Sequence, residues 1–194
     1  MTSKQLRTLC EGAILVAAAM ALSYLKIPIG LSFGGWGGSI DFVMVPLILF
    51  AVLRGTGWGL GAGLLFGTLK FFFAGGIAVN WQSMLLDYSL AYCCVGFAGL
   101  CRRKGTAASP FFGELPLGAL VGCLGRFIIH FISGVTIYAE YIEPIFGRDI
   151  QNVWLYSLLY NGSYMLPNTV IAILVCLLLK KPFEKLRAAR TSAA

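Results

Sequence analysis

Apolar residues run through this chain in long blocks, separated by short polar, glycine-rich or basic stretches. A block of about 20 apolar residues matches the thickness of a bilayer crossed by an α-helix. Six blocks are legible, at 8–25, 41–54, 57–74, 81–101, 114–137 and 153–179. The second is short for a crossing and is expected to tilt or to enter only part of the bilayer. The predicted fold is therefore all-α: a polytopic membrane protein, one domain over 1–194, built as a six-transmembrane-helix bundle.

Two blocks carry small residues at helical spacing. Gly55, Gly59, Gly63 and Gly67 recur every four residues in the third, and Ala13, Ala17 and Ala21 do so in the first. Lipid supplies no hydrophobic force between helices, so small residues permit close backbone approach. The glycines are expected to pack inside the bundle. The alanines leave two readings open, an internal contact or a docking surface.

Composition removes the soluble alternative. The chain of 194 residues is 58% hydrophobic and 12% charged, with mean hydropathy +0.82. Soluble domains carry about 25% charged residues. The net charge of +7 would suggest a nucleic-acid partner in a soluble protein. Here the basic residues cluster beside apolar blocks: Lys4 and Arg7, then Arg54, then Arg102, Arg103 and Lys104, then Lys180, Lys181, Lys185, Arg187 and Arg190. The opposite loops hold Asp41, Glu140, Glu143 and Asp149, with Lys26 and Arg148. Basic loops stay cytoplasmic, so both termini are expected inside and loops 26–40, 75–80 and 138–152 outside. The first block follows Lys4 and Arg7 and is expected to be an uncleaved helix rather than a signal peptide. No nucleic-acid partner is expected.

The six cysteines form no paired CxxC pattern, so no metal site is expected. No GxxxxGK[ST] phosphate loop is present, so ATP hydrolysis is not expected in this chain. No cofactor and no enzymatic activity are expected.

The candidate chemistry lies inside the blocks. Asp87 is costly there, by about 2.5–3.5 kcal/mol at a helix centre, and needs a partner, which could be Lys70, Arg126 or a ligand. At about 1.5 Å per residue, Asp87 falls about 9 Å from its outer helix end and His130 about 12 Å from its own. Tyr156 and Asn161 fall about 5 and 12 Å from the end of the last block. Three helices thus bring polar groups to one layer. Trp36, Trp81, Tyr88 and Tyr138 surround that layer. Such aromatics serve as interface anchors by default. With a buried carboxylate they also suit a flat cationic ligand, since rings attract cations by up to about 2 kcal/mol. His130, Gly134 and Tyr138 are one turn apart, and Gly134 would let a planar ring lie against the helix.

Together the segments Ser39-Ile40-Asp41 before Val45-Pro46, Leu86-Asp87-Tyr88, His130-Phe131-Ile132-Ser133-Gly134, and Tyr156-Ser157-Leu158-Leu159-Tyr160-Asn161 resemble the thiamin-specific substrate-binding (S) component of energy-coupling factor transporters. The resemblance runs over most of the chain. It implies a multi-pass protein of the bacterial cell membrane that captures thiamin from outside. It also implies work with a transmembrane coupling protein and two cytoplasmic ATPase subunits. Carried over by position, the ligand residues would be Trp36, Asp87, Tyr88, His130, Gly134, Tyr138, Tyr156 and Asn161. Ala13, Ala17 and Ala21 would dock onto the coupling protein. Two positions depart from the family pattern: Asp87 stands where glutamate is expected, and Tyr138 where tryptophan is expected. Other readings stay open at this point: an S component for another small heterocycle such as a thiamin precursor pyrimidine, a proton-coupled carrier using Arg126, Asp87 and His130, and an intramembrane enzyme using His130 and Asp87.

Overall fold

The computed structural model describes residues 1–29, 37–103, 113–142, 144–145 and 149–192. Trp36, Lys104, Glu143 and Arg148 lie outside the described residues. Six helices follow in order: α1 (Ser3–Leu22), α2 (Met44–Arg54), α3 (Thr56–Phe73), α4 (Trp81–Cys101), α5 (Glu114–Thr136) and α6 (Val153–Ser192). Four of them, α1, α4, α5 and the 153–188 part of α6, are long and apolar enough to cross a membrane. Outward-facing leucines such as Leu64, Leu120, Leu124, Leu166 and Leu178 leave the bundle with an apolar exterior, as a lipid solvent requires.

The boundaries show what sets each helix. α1 begins at Ser3, ahead of the apolar block, because Thr2 and Gln5 form a reciprocal capping box. α2 has 11 residues, about 16 Å of helix, too short to cross. Met44 to Ile48 and Phe50 to Val52 are buried, and α2 sits among α1, α3, α4, α5 and α6. Its hydrophobicity reflects a protein core and not a lipid contact. α6 has 40 residues and runs past the last apolar residue. Its basic end is made of good helix formers, and Arg187 pairs there with Glu114 at the start of α5.

α2 and α3 meet at Gly55, whose φ of +97° only glycine adopts readily. Beyond it, α3 and α4 touch backbone to backbone. A Cβ on Gly63 would overlap the Tyr92 carbonyl, and one on Gly67 would overlap the Tyr88 carbonyl. In return, Gly96 and Gly99 of α4 meet the backbone of Leu60 and Thr56. The glycine stripe is thus an internal packing surface. The alanine stripe points the other way: Ala13, Ala17 and Ala21 are exposed, while Gly12, Val16 and Ala19 of the same helix are buried.

Between α1 and α2, Ile27–Pro28 pairs antiparallel with Ser39–Ile40, making a hairpin stem at one end of the bundle. Beneath it lies a buried polar knot. Lys70 of α3 reaches Asp41 at 3.1 Å and donates to the Tyr92 hydroxyl at 2.6 Å. Asp41 also accepts from the Val43 backbone at 3.3 Å and from Ser39 at 3.2 Å. Asn168 of α6 accepts from the Asp41 backbone at 2.9 Å. Lys70 and Asp41 are 6% and 2% exposed, so their pairing is not optional. Lys70 is therefore committed to Asp41 and is not the partner of Asp87.

Two outcomes are expected in thermal unfolding of the detergent-solubilised protein. Gly63→Ala should lose about 1–3 kcal/mol by overpacking. Gly61→Ala, whose Cβ meets open space, should be neutral or gain up to about 1 kcal/mol; equal melting of the two variants would refute the packing role. Asp41→Asn and Lys70→Met should each cost about 3–5 kcal/mol. The double variant should cost less than the sum, because neither charge is then left alone.

Candidate functional site

A cavity of about 570 Å³ lies under the hairpin stem, walled by α3, α4, α5 and α6. Asp87, Tyr88, His130, Gly134, Tyr138, Tyr156 and Asn161 all line it. These are seven of the eight ligand candidates read from the sequence; Trp36 lies outside the described residues.

The centre of the wall is a line of three side chains. Asp87 sits in a π-helical stretch of α4, Leu85–Leu90. Such wide turns inside α-helices recur at functional sites. Its Oδ1 lies 3.1 Å from His130 Nδ1. Arg126, one turn before His130 on α5, donates its Nε to His130 Nε2 at 3.2 Å. A guanidinium can only donate, so Nε2 carries the lone pair and Nδ1 carries the proton that points at Asp87. The Asp87 side chain is 15% exposed and the His130 side chain 9%. Arg126 is 5% exposed, and its Cζ lies 4.2 Å from the centre of the Tyr92 ring. Its Nη1 has no hydrogen-bond partner among the described residues. A buried donor without a partner is costly, and here that atom is shielded within the wall rather than presented to the cavity.

Asn161 is more occupied than its place in the sequence suggests. Its amide donates to the His130 carbonyl at 3.2 Å and to the Ser157 carbonyl at 3.0 Å, and its Oδ1 accepts from Tyr164 at 2.7 Å. It ties α5 to α6 while facing the cavity. Gly134 also serves that contact: a Cβ there would overlap Ser157 Oγ and lie 3.1 Å from the Asn161 amide. The absence of a side chain at Gly134 thus makes room for α6 rather than for a planar ring.

The aromatic lining is broader than the sequence reading. Seven of the chain's eight tyrosines line the cavity: Tyr88, Tyr92, Tyr138, Tyr141, Tyr156, Tyr160 and Tyr164. Tyr156 and Tyr160 stack with centroids 6.0 Å apart and planes 10° from parallel. Tyr160 meets Tyr164 edge-on at 5.9 Å. Their spacing of i, i+4 and i+8 on α6 was a legible signal for a shared face. Tyr138, just past α5, meets Tyr141 edge-on at 6.3 Å and interacts through its hydroxyl with Ser83 and Asp87. Burial pushes its phenol above the ordinary tyrosine value. The Tyr88 hydroxyl is held by the Ile77 backbone, accepting at 2.7 Å and donating at 3.1 Å. Trp58, Trp81 and Trp154 are 39%, 66% and 63% exposed and do not line the cavity. Trp81 accordingly belongs to the outer surface, as an interface anchor would.

The charges deep in the cavity are paired, while Lys26 at its edge donates to the Ala74 carbonyl at 3.2 Å and leaves the lining one positive charge in excess. Lys70 is matched by Asp41, and Arg126 is matched by Asp87 through His130. Attraction for a cation would come mainly from the aromatic faces. No cluster of three or more potential metal ligands occurs among the described residues.

Three comparisons bear on identity. A family profile described as thiamine transporter protein matches residues 9–188. The thiamine transporter ThiT of Bacillus subtilis (strain 168) is 34% identical over 188 residues, covering 91% of this chain and 92% of that protein. ThiT of Lacticaseibacillus paracasei is 31% identical over 181 residues, covering 89% and 86%. The solved structure of ThiT from Listeria monocytogenes matches with a TM-score of 0.73 at 26% identity, over 92% of this chain and 96% of that one. A multi-pass helical chain with this match along nearly its whole length belongs to the thiamine transporter protein family.

Proposed function

We propose that this chain binds thiamin in the tyrosine-lined cavity and delivers it for uptake as the S component of an energy-coupling factor transporter. The observation that carries the reading is the cavity itself: an aromatic cage with a carboxylate–histidine–arginine line in its wall, in a chain of this family. Thiamin offers an aminopyrimidine and a cationic thiazolium. The Asp87 carboxylate, held by His130, accepts from the exocyclic amine. Arg126 holds His130 Nε2 and so keeps the Nδ1 proton on the side of Asp87. The thiazolium lies against tyrosine faces, worth up to about 2 kcal/mol for each well-placed ring once water is excluded. His130 fixes the direction of Asp87, and Asn161 fixes the wall on which His130 stands. The chain carries and does not transform its ligand.

The basic residues at the ends of α1, α2, α4 and α6 favour cytoplasmic termini. The cavity then opens outward beneath the hairpin. The exposed Ala13, Ala17 and Ala21 face of α1 suits docking of a helix from the coupling protein, because small residues let helices approach in lipid. Two cytoplasmic ATPases supply the energy that this chain has no phosphate loop to supply.

Isothermal titration calorimetry on the purified protein should give saturable binding of thiamin, with its pyrimidine half weaker and riboflavin silent. Absence of heat with thiamin at micromolar protein would refute the reading, and tighter binding of the pyrimidine half would reassign the ligand. Asp87→Asn and His130→Ala should each weaken thiamin by about 10- to 150-fold, the range of a lost charge-assisted hydrogen bond. Ala17→Trp should leave thiamin affinity unchanged and abolish co-purification with the coupling protein and ATPases. Retained assembly would place the docking surface elsewhere.

A further inference from the structure

The hairpin stem and α6 meet along a single face of the helix. Tyr160, Tyr164 and Asn168 stand at i, i+4 and i+8 on that face, and each receives the next part of the returning strand. The Tyr160 hydroxyl donates to the Gly37 carbonyl at 2.6 Å. Gly38, with φ of +85°, lies on the Tyr164 ring so closely that a Cβ would come 2.7 Å from its Cδ1. Asn168 donates to the Ser39 carbonyl at 2.7 Å and accepts from the Asp41 backbone at 2.9 Å. Segment 37–41 is thereby fastened at three successive turns.

Tyr164 differs from its two neighbours in what lies on its far side. Its hydroxyl donates to Asn161 Oδ1 at 2.7 Å, and the Asn161 amide donates to the His130 carbonyl at 3.2 Å. Its ring also meets the His130 ring edge-on at 5.9 Å. Tyr164 is 4% exposed, so it has little room to move without moving one of these contacts. A single phenol thus touches both the His130–Asn161 wall and the strand that roofs the cavity.

We propose that Tyr164 is a positioning residue that couples occupation of the cavity to the order of the hairpin stem. A ligand held against His130 and Asn161 restrains Asn161, Asn161 restrains the Tyr164 hydroxyl, and the Tyr164 ring restrains Gly38. The same chain run in reverse makes an ordered stem favour the ligand-ready arrangement of the wall, because coupling between sites is reciprocal. The inference rests on the thiamin reading and names the internal wiring of that site.

Hydrogen exchange measured by mass spectrometry, with calorimetry alongside, tests it on the full-length protein with and without saturating thiamin. In the wild type, thiamin should slow exchange of the Asp41 amide and of the Ile29 amide, which donates to the Gly38 carbonyl. Tyr164→Phe keeps the ring under Gly38 and removes only the hydroxyl. It should bind thiamin about three- to tenfold more weakly, and thiamin should no longer slow the stem. Tyr160→Phe cuts the bond to Gly37 but leaves the Asn161 link. Its stem should exchange faster in both states, yet still be slowed by thiamin. The inference is overturned if Tyr164→Phe retains the full slowing, if Tyr160→Phe loses it equally, or if the wild type binds thiamin with no change in the stem. A wild type that gives no calorimetric binding would instead overturn the ligand reading.

Discussion

Charge inside a lipid-embedded bundle has to be neutralised where it stands, and that requirement organises this structure around Asp41, Lys70, Asp87, His130 and Arg126. The five are brought together from the hairpin base, α3, α4 and α5. Arg126 and His130 meet within one turn of α5, and the other pairs join separate elements. Lys70 meets Tyr92 at 2.6 Å because Gly63 and Gly67, two turns and one turn earlier, let α3 lie on the α4 backbone. Asp87 meets His130 at 3.1 Å from a π-helical stretch, where an extra residue per turn re-aims the side chains. Close packing, a local irregularity and two matched pairs are therefore parts of one solution.

The sequence disclosed the parts that depend on solvent and little of what depends on neighbours. Apolar blocks report where lipid or core must be, so α1, α4 and α5 were legible nearly to the residue. At α2 the signal gave the helix and its shortness but not its surroundings, because a helix buried in protein and one buried in lipid have the same composition. It also stopped short on α6, whose last turns are held by Arg187 and Glu114 rather than by apolarity. Depth along each helix put Asp87, His130 and Asn161 in one layer, since the rise per residue is fixed. Partner choice could not be read that way. Lys70 and Arg126 looked equivalent as counter-ions for Asp87, and only the position of Asp41 separates them. Gly134 invited a ligand in the sequence; in the fold its open side faces Ser157, because the handedness of the α5–α6 crossing is not written in any one helix. The tyrosine ladder at 156, 160 and 164 was readable from spacing alone, and it carries more of the cavity than the tryptophans that a membrane-belt reading singles out.

The proposed preference for a cation turns on how the charges of the cavity wall are paired. A lone carboxylate 4 Å from a cation at an effective dielectric of 20 is worth about 4 kcal/mol, but it would leave an unmatched charge buried whenever the site is empty. Here Asp87 is matched by His130 and Arg126 in the empty state, so the empty cavity is stable without a ligand. The cost of that arrangement is weaker ionic attraction, and the tyrosine faces supply the difference through quadrupoles that need no counter-charge. Aromatic faces hold a cation without a single irreplaceable contact. For a carrier that must take up a ligand on one side and surrender it on the other, a site stable both empty and full keeps release from becoming the largest barrier in the cycle. On the proposed thiamin reading, Asp87 acts less as the counter-ion of the ligand than as the group that sets its orientation. Its short side chain suits that role, since a carboxylate held by His130 and met by the Tyr138 hydroxyl has few directions left in which to offer an oxygen.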